Sequence, residues 1–342
     1  MTPSTGTSES NVNFPRRLDL SQTPTPLQIM PRLTAFVGGP KIWFKRDDLT
    51  GSALAGNKIR KLEFSLAQAL DLQAKVIITA GGIQSNHCRA TAFACAQLGL
   101  KCHLILRGGP GDTAADGNLL LDHLAGAEIT FVPHEQYSTS RPEILAGIQN
   151  DYESMGLTSY WIPVGASNAI GSFGYIRAFD EMMAQIVQDN LNIRHVVTAV
   201  GSGGTLAGLI AGRACTSHAT PPKLWGVNVC NDAPFFEEEI RGILHELKES
   251  YKVPVNAQTE EVNIIDGYVG EGYAIPYAAE METIRQVGQV EGQVLDPVYT
   301  GKAFHALIEE CKAGRFTPDE DVVFIHTGGI YGLFPARDQL GF

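Results

Sequence analysis

The stretch VVTAVGSGGTLAGLIAG, residues 196–212, decides the fold. His195 to Val200 reads as a strand whose near-continuous apolar run from Val196 is the pattern of burial on both faces of a parallel sheet, and Thr205 to Gly212 reads as the helix that follows it. The junction between them, Gly201, Ser202, Gly203, Gly204 and Thr205, aims free backbone N–H groups and a helix N-terminus at one point. That is an anion site suited to a phosphate. A tight glycine turn with no ligand is the plainer alternative. The Gly-Lys-Ser/Thr of a P-loop is missing, and the next strand ends in Asn228 rather than the acidic residue of a dinucleotide fingerprint.

The same strand-then-helix order extends outward in both directions. Upstream, the short strand Lys41–Asp48 and a helix from Asn57 lead to the apolar run Val76–Ala80. Helix Asn86–Leu98, strand Cys102–Arg107, a helix around Asp116–Ala125, strand EITFVP, a helix from Arg141, strand YWIPV and helix Phe173–Gln188 follow. Downstream come strand Lys223–Val229, helices Phe235–Tyr251, Tyr277–Gly288 and Gly301–Ala313, and strand Val322–Thr327. Repeated β-then-α order implies parallel strands with right-handed crossovers, hence an α/β protein of two open, mainly parallel sheets. No repeat at a fixed period supports a solenoid.

A length of 342 residues accommodates two domains of roughly 100–200 residues each. With 44% hydrophobic and 18% charged residues the chain is globular rather than disordered. Its formal charge of 26 − 37 = −11 would repel a phosphate backbone, so nucleic acid is not expected as a partner. The six cysteines form no CxxC pair, which speaks against a disulfide framework or a zinc ribbon. Residues 1–13, MTPSTGTSESNVN, read as a flexible arm and carry no secretory signal. No apolar run approaches the roughly 18 residues of a spanning helix, so no membrane is expected and the cytoplasm is the expected compartment.

Ligands of open α/β sheets sit beyond the carboxyl ends of the strands, and two further junctions there stand out. In GGIQSNH, residues 81–87, four polar side chains (Gln84, Ser85, Asn86, His87) lie between strand and helix. Ser85 or Asn86 alone suffices as an N-cap; four in a row suit a bound carboxylate or phenolate. In GNKIRKLEF, residues 56–64, Lys58 opens a helix. Most lysines are solvated, but one desolvated near other cations keeps a free amine able to form a Schiff base with an aldehyde or ketone.

GNKIRKLEF, GGIQSNH, the glycine loop, LDPVYTGKA (residues 295–303) and IHTGG (residues 325–329) occur in this order. With them the chain resembles the fold-type-II pyridoxal-phosphate enzymes of the D-cysteine desulfhydrase and 1-aminocyclopropane-1-carboxylate (ACC) deaminase group, from about Phe14 to the last strand. The resemblance implies a tryptophan-synthase-β-like fold in a homodimer. A large cofactor-binding domain would be formed by residues 14–61 plus 169–342, with a smaller domain, residues 62–168, inserted. It implies pyridoxal 5′-phosphate as cofactor, Lys58 as the Schiff-base lysine, Asn86 beside the pyridoxal 3′-oxygen and Gly201–Thr205 (Gly201, Ser202, Gly203, Gly204, Thr205) as the phosphate cradle. Ser85, with Gln84 and His87, would receive the carboxylate of a small amino-acid substrate. Thr327 would face the pyridine nitrogen; a hydroxyl there does not force protonation of the ring as a carboxylate would, which suits elimination.

Tyr299, in LDPVYTGKA, and Tyr268, in DGYVGEGY, are the phenols that the resemblance places at the reacting carbon, either one assisting protonation of the leaving group. Core or rim aromatics are the plainer reading of both. The ACC deaminases of the group carry glutamate directly after this tyrosine. Here Thr300 stands there, a substrate-side candidate that favours the desulfhydrase branch. Leu54-Ala55 before GNK also departs from the glycine usual in the group.

A serine hydrolase would need G-x-S-x-G around Ser202 or Ser167 and a metallohydrolase a second ligand after His245-Glu246; both are missing. The activity expected is α,β-elimination, with Lys58 taking the Cα proton and D-cysteine plus water giving pyruvate, ammonia and hydrogen sulfide. ACC deamination to 2-oxobutyrate is the alternative, followed by sulfo-lyase action on cysteate or another β-substituted alanine. An α/β protein that only binds a metabolite is the non-enzymatic rival.

Overall fold

The computed structural model describes residues 12–109 and 115–341. Most of the expected N-terminal arm therefore lies outside the described residues. At its end Val12 is buried against the main core, and the Phe14 ring packs edge-on against Phe173 at 5.9 Å.

The chain begins with β1 (Leu27–Ile29), α1 (Pro31–Val37), β2 (Ile42–Lys45) and α2 (Asn57–Asp71). Then come β3 (Val76–Gly82), α3 (Asn86–Leu98), β4 (Lys101–Arg107), α4 (Gly117–Leu124), β5 (Glu128–Val132), α5 (Tyr137–Ser154) and β6 (Ser159–Trp161). The remainder runs α6 (Ala169–Gln188), β7 (Ile193–Val200), α7 (Gly204–Cys215), β8 (Lys223–Asn228), α8 (Ala233–Tyr251) and β9 (Ile264–Ile265). It closes with α9 (Ala278–Glu291), α10 (Thr300–Lys312) and β10 (Asp321–Ile325).

These strands make two sheets, ordered β1-β2-β10-β7-β8-β9 and β5-β4-β3-β6. Every pairing is parallel except β1 with β2. The smaller sheet is drawn from residues 76–161, inside the stretch expected to form an inserted unit.

Both sheets are covered on both faces, and the apolar strands follow from that. In β10, Val323 and Ile325 point into the core made with α6, α7 and α8. Val322 and Phe324 point into the core made with α1, α9 and α10. In β3, Ile77 packs with α2 and α3, while Val76, Ile78 and Ala80 face α5. Among the described residues no helix is long and apolar enough to cross a membrane.

The architecture brings the carboxyl ends of β2, β10 and β7 side by side. Lys58 follows the first, Thr327 the second and the glycine loop the third, and the chain leaving β3 faces them from the other sheet.

Candidate active site

Helix α2 begins where Gly56, at φ 108°, turns the chain against Thr327, two residues beyond β10. A Cβ at Gly56 would lie 2.6 Å from the Thr327 carbonyl oxygen, so only glycine permits the approach. The Asn57 N–H donates to that same oxygen at 3.1 Å. The next four residues then separate by helical spacing. Arg60 is a structural cation, pairing with Asp47 at 2.8 Å and Glu181 at 2.9 Å. Lys58 and Lys61, three apart, point the other way. Burial brings the Lys58 ammonium down to about 8 despite the opposing pull of Asp296, so its free amine is accessible near neutrality. Lys61 is lowered further, first by burial and then by the like charge of Lys58, and its Nζ donates to Ser167 Oγ at 2.9 Å.

Ser167 couples these lysines to the glycine loop. Its Oγ lies 2.8 Å from Ser202 Oγ and accepts from the Gly204 N–H at 3.2 Å. A Cβ on Gly204 would fall 2.7 Å from both Lys61 Nζ and Ser167 Oγ. One on Gly201 would fall 2.8 Å from the Tyr299 ring. Asn57 Nδ2 donates to Thr205 Oγ1 at 3.0 Å, tying the start of α2 to the start of α7. The result is a narrow crevice lined by Lys58, Asn86, Gly201, Ser202, Gly203, Thr205, Tyr299 and Thr327.

Facing it, α3 starts at Asn86. Ser85 is its N-cap, accepting from the Cys88 N–H at 3.2 Å, and it also lines the adjoining cavity, of about 670 Å³, that contains Lys58. Asn86 Oδ1 accepts from Asn118 at 3.1 Å. Gln84 departs from expectation: its side-chain amide donates to the Asp116 carbonyl and accepts from the Asn118 N–H, bracing α4. It lines a separate cavity that does not contain Lys58.

His87 reaches the Lys58 cavity in a form opposite to a carboxylate receptor. Thr79 Oγ1 spends its proton on the Ile162 carbonyl at 2.7 Å, so His87 Nε2, 2.8 Å from that hydroxyl, must be the donor. Its Nδ1 is left as a lone pair with no partner among the described residues. Burial, then Lys58 and Lys61, hold the ring neutral. The donors that α3 offers to the cavity are therefore the Ser85 hydroxyl and the backbone N–H groups of its first turn.

The tyrosines require a correction. Tyr299 stands over Lys58, with Nζ 5.8 Å from its ring centroid. Its partner is Tyr273, hydroxyl to hydroxyl at 2.6 Å, and both line the Lys58 cavity. Tyr268 lines neither this cavity nor the crevice; its hydroxyl donates to Glu310 at 2.9 Å and its ring packs on His305. Burial raises both Tyr273 and Tyr299 well above the ordinary phenol value, so the pair is protonated and suited to donate. The second tyrosine of DGYVGEGY is the one that the geometry selects.

Thr300 also sits elsewhere than expected. Fully buried, its hydroxyl donates to Asp296 Oδ1 at 2.6 Å and lines neither space. Asp296 in turn accepts from the N–H groups of Val298, Tyr299 and Thr300, fixing the turn that presents Tyr299. Lys302 does the same for Tyr273. Its buried Nζ donates to the carbonyls of Val269, Gly272 and Ile275 at 2.6, 2.7 and 3.0 Å, closing the loop that carries the second phenol. Lys61, Asp296, Lys302 and Tyr273 were given no role from the sequence and Ser167 was weighed only as a hydrolase serine, although the i, i+3 spacing of Lys58 and Lys61 was a usable signal. Leu54 and Ala55, the departure before GNK, are both buried, and the Ala55 carbonyl accepts from Arg89 at 2.6 Å.

Comparison with known proteins gives the family. The family described as "Pyridoxal-phosphate dependent enzyme" matches residues 18–328. A Thermotoga maritima protein provisionally named a 1-aminocyclopropane-1-carboxylate deaminase is 44% identical, covering 95% of this chain and 99% of its own. The Arabidopsis thaliana bifunctional D-cysteine desulfhydrase/1-aminocyclopropane-1-carboxylate deaminase is 39% identical over 94% of this chain and 80% of its own. Among solved structures, an ACC deaminase homologue superposes with a TM-score of 0.85 at 35% identity, covering 96% of this chain and 95% of that one.

Proposed function

The chain belongs to the pyridoxal-phosphate dependent enzyme family, and from that premise we propose that it is a lyase that eliminates the β-substituent of D-cysteine, releasing pyruvate, ammonia and hydrogen sulfide. The residues present suit the cofactor. A glycine turn that a Cβ would fill leads into the N-terminus of α7, and the buried Lys61 beside it has no carboxylate partner among the described residues. Gly201–Thr205 with Lys61 would hold the phosphate, Asn86 and Thr327 the ring, and Lys58 the aldehyde carbon. Pyridoxal phosphate supplies, when bound, an aldehyde that joins the substrate amine and a ring that takes up the electron pair left at Cα.

The chain's own groups do the rest. The Lys58 amine takes the Cα proton, a step for which its value of about 8 leaves it both free and basic. The first turn of α3 orients the carboxylate. The Tyr299–Tyr273 pair, held protonated, donates to the departing sulfur. A base and a protonated phenol pair on one cavity is the observation that carries this reading: elimination needs a proton removed at Cα and one delivered at the leaving group.

ACC deamination is the second reading, since the relatives' names carry both activities. Against it stands Thr300, which places no carboxylate next to Tyr299 in the cavity. Incubating the holoenzyme with D-cysteine should yield pyruvate and sulfide in equal amounts; consumption of D-cysteine without sulfide would overturn the elimination.

A further inference from the structure

The outer half of the Lys58 cavity carries charge that removing a Cα proton does not require. Arg107 ends β4 opposite Gly82 of β3. Its guanidinium carbon lies 5.1 Å from the Tyr273 ring centroid and 5.7 Å from that of Tyr137. Arg141, one turn along α5 from Tyr137, approaches the same ring at 5.2 Å. Tyr137 thus holds two guanidinium groups, and both line the cavity together with Lys58. Among the described residues neither arginine pairs with a carboxylate. The one acidic lining residue, Glu239, is exposed on α8.

We propose that Arg107 and Arg141 form a second anion site, which takes an oxyanion carried by the substrate's β-substituent. The inference rests on the elimination reading and narrows it. The first turn of α3 accounts for the α-carboxylate, and the glycine loop with Lys61 accounts for the cofactor phosphate, so the arginine pair is left over. Two cations beside one aromatic ring repel each other and gain most from an anion set between them. In a chain of net charge −11, such a cavity also concentrates anionic substrates against the field of the whole molecule. A neutral thiol such as that of D-cysteine leaves the site unused; a sulfonate or phosphate ester fills it.

With cysteate the reaction balances without an oxidant. The Cα–H bond breaks and its proton goes to Lys58; the Cβ–S bond breaks and its electron pair leaves with sulfur. The cysteate anion and water give pyruvate, ammonium and hydrogen sulfite. With phosphoserine the Cβ–O bond breaks instead and its electron pair leaves with the phosphate oxygen, so that phosphoserine and water give pyruvate, ammonium and phosphate.

The test compares kcat/KM for the D- and L-forms of cysteate and phosphoserine with those of β-chloroalanine, in the wild type, Arg107→Met, Arg141→Met and Arg107→Lys. The wild type should favour at least one anionic substrate by about tenfold or more, and each methionine variant should lose at least about tenfold more on that substrate than on β-chloroalanine, chiefly through KM. Arg107→Lys should recover part of the loss. A wild type that favours β-chloroalanine, or variants that lose equally on every substrate, would overturn the site. Calorimetric titration of the holoenzyme with cysteate separates the two claims. If no substrate yields pyruvate yet cysteate binding depends on the arginines, the elimination falls and the anion site stands; arginine-independent binding removes the site.

Discussion

The inner and outer halves of the cavity are built on different principles. Inside, two lysines sit on one face of α2, the glycine loop is braced by Ser167, and Asp296 and Lys302 fix the two phenols through seven hydrogen bonds at most 3.1 Å long. Outside, Arg107 and Arg141 are half-buried and rest on aromatic faces rather than on carboxylates. A preorganised interior suits chemistry that every substrate shares, whereas a wall held by stacking discriminates among substituents. Substitutions inside should therefore damage turnover of all substrates alike, and those outside should change preference.

The largest effect belongs to Lys58→Ala. Alanine keeps the helix but offers no amine, so turnover should fall by more than about a thousandfold on every substrate while the thermal midpoint stays near the parent's. Turnover close to the parent's would transfer the role to another lysine. Next is Lys302→Met, which leaves three carbonyls without their donor; each such group costs about 1–3 kcal/mol when buried. A drop in kcat of roughly tenfold to a hundredfold is expected, with the cofactor still bound, because the loop carrying Tyr273 loses its anchor. Tyr273→Phe should reproduce the kcat loss without the loss of stability. If only stability fell in Lys302→Met, the lysine would be structural alone.

Gly204→Ala tests the phosphate cradle. Its Cβ would press on Lys61 Nζ and Ser167, so cofactor affinity, measured by equilibrium dialysis, should weaken by about tenfold, a change of about 1.4 kcal/mol. The ionisation of Lys58 sets a pH signature on the same process. Below about 8 only a fraction of the amine is free, so reconstitution of the apoprotein with pyridoxal phosphate should speed up as pH rises and level off above that value. The linked stability has the same sign. A lysine lowered on folding binds fewer protons than in the unfolded chain, so this contribution to apoprotein stability rises with pH between about 8 and the ordinary lysine value of 10.5. The smallest effect is Tyr268→Phe, which removes a hydrogen bond to Glu310 and should change kcat by less than about twofold.

The contrast with Tyr273 shows where sequence reading stops. Strands buried on both faces announce themselves as apolar runs, so β3, β4, β7, β8 and β10 were legible to within two residues at either end. The two-residue β9 and the short α1 after a run of prolines were not, because neither is long enough to show a period. Lys58, Ser85, Asn86 and the glycine loop stand out in the sequence because they sit at strand-to-helix junctions, and the structure gathers them around one crevice and its adjoining cavity. Tyr268 and Tyr273 stand five apart in a glycine-rich loop with no periodicity, and the contacts that turn one outward to Glu310 and the other inward to Tyr299, with Lys302 pinning the loop between them, come from distant residues. Thr300 was misplaced for a similar reason: its neighbour Tyr299 faces the cavity, whereas its own hydroxyl closes on Asp296, four residues back.

The most direct test of the elimination reading is the ratio of kcat/KM for D-cysteine, followed as pyruvate and sulfide, to that for ACC, followed as 2-oxobutyrate, on the wild-type holoenzyme. With protonated phenols above Lys58 and Thr300 turned into the core, the ratio should exceed about ten, a difference of about 1.4 kcal/mol in transition-state stabilisation. A ratio below one would contradict the account, even if every cofactor contact proved right.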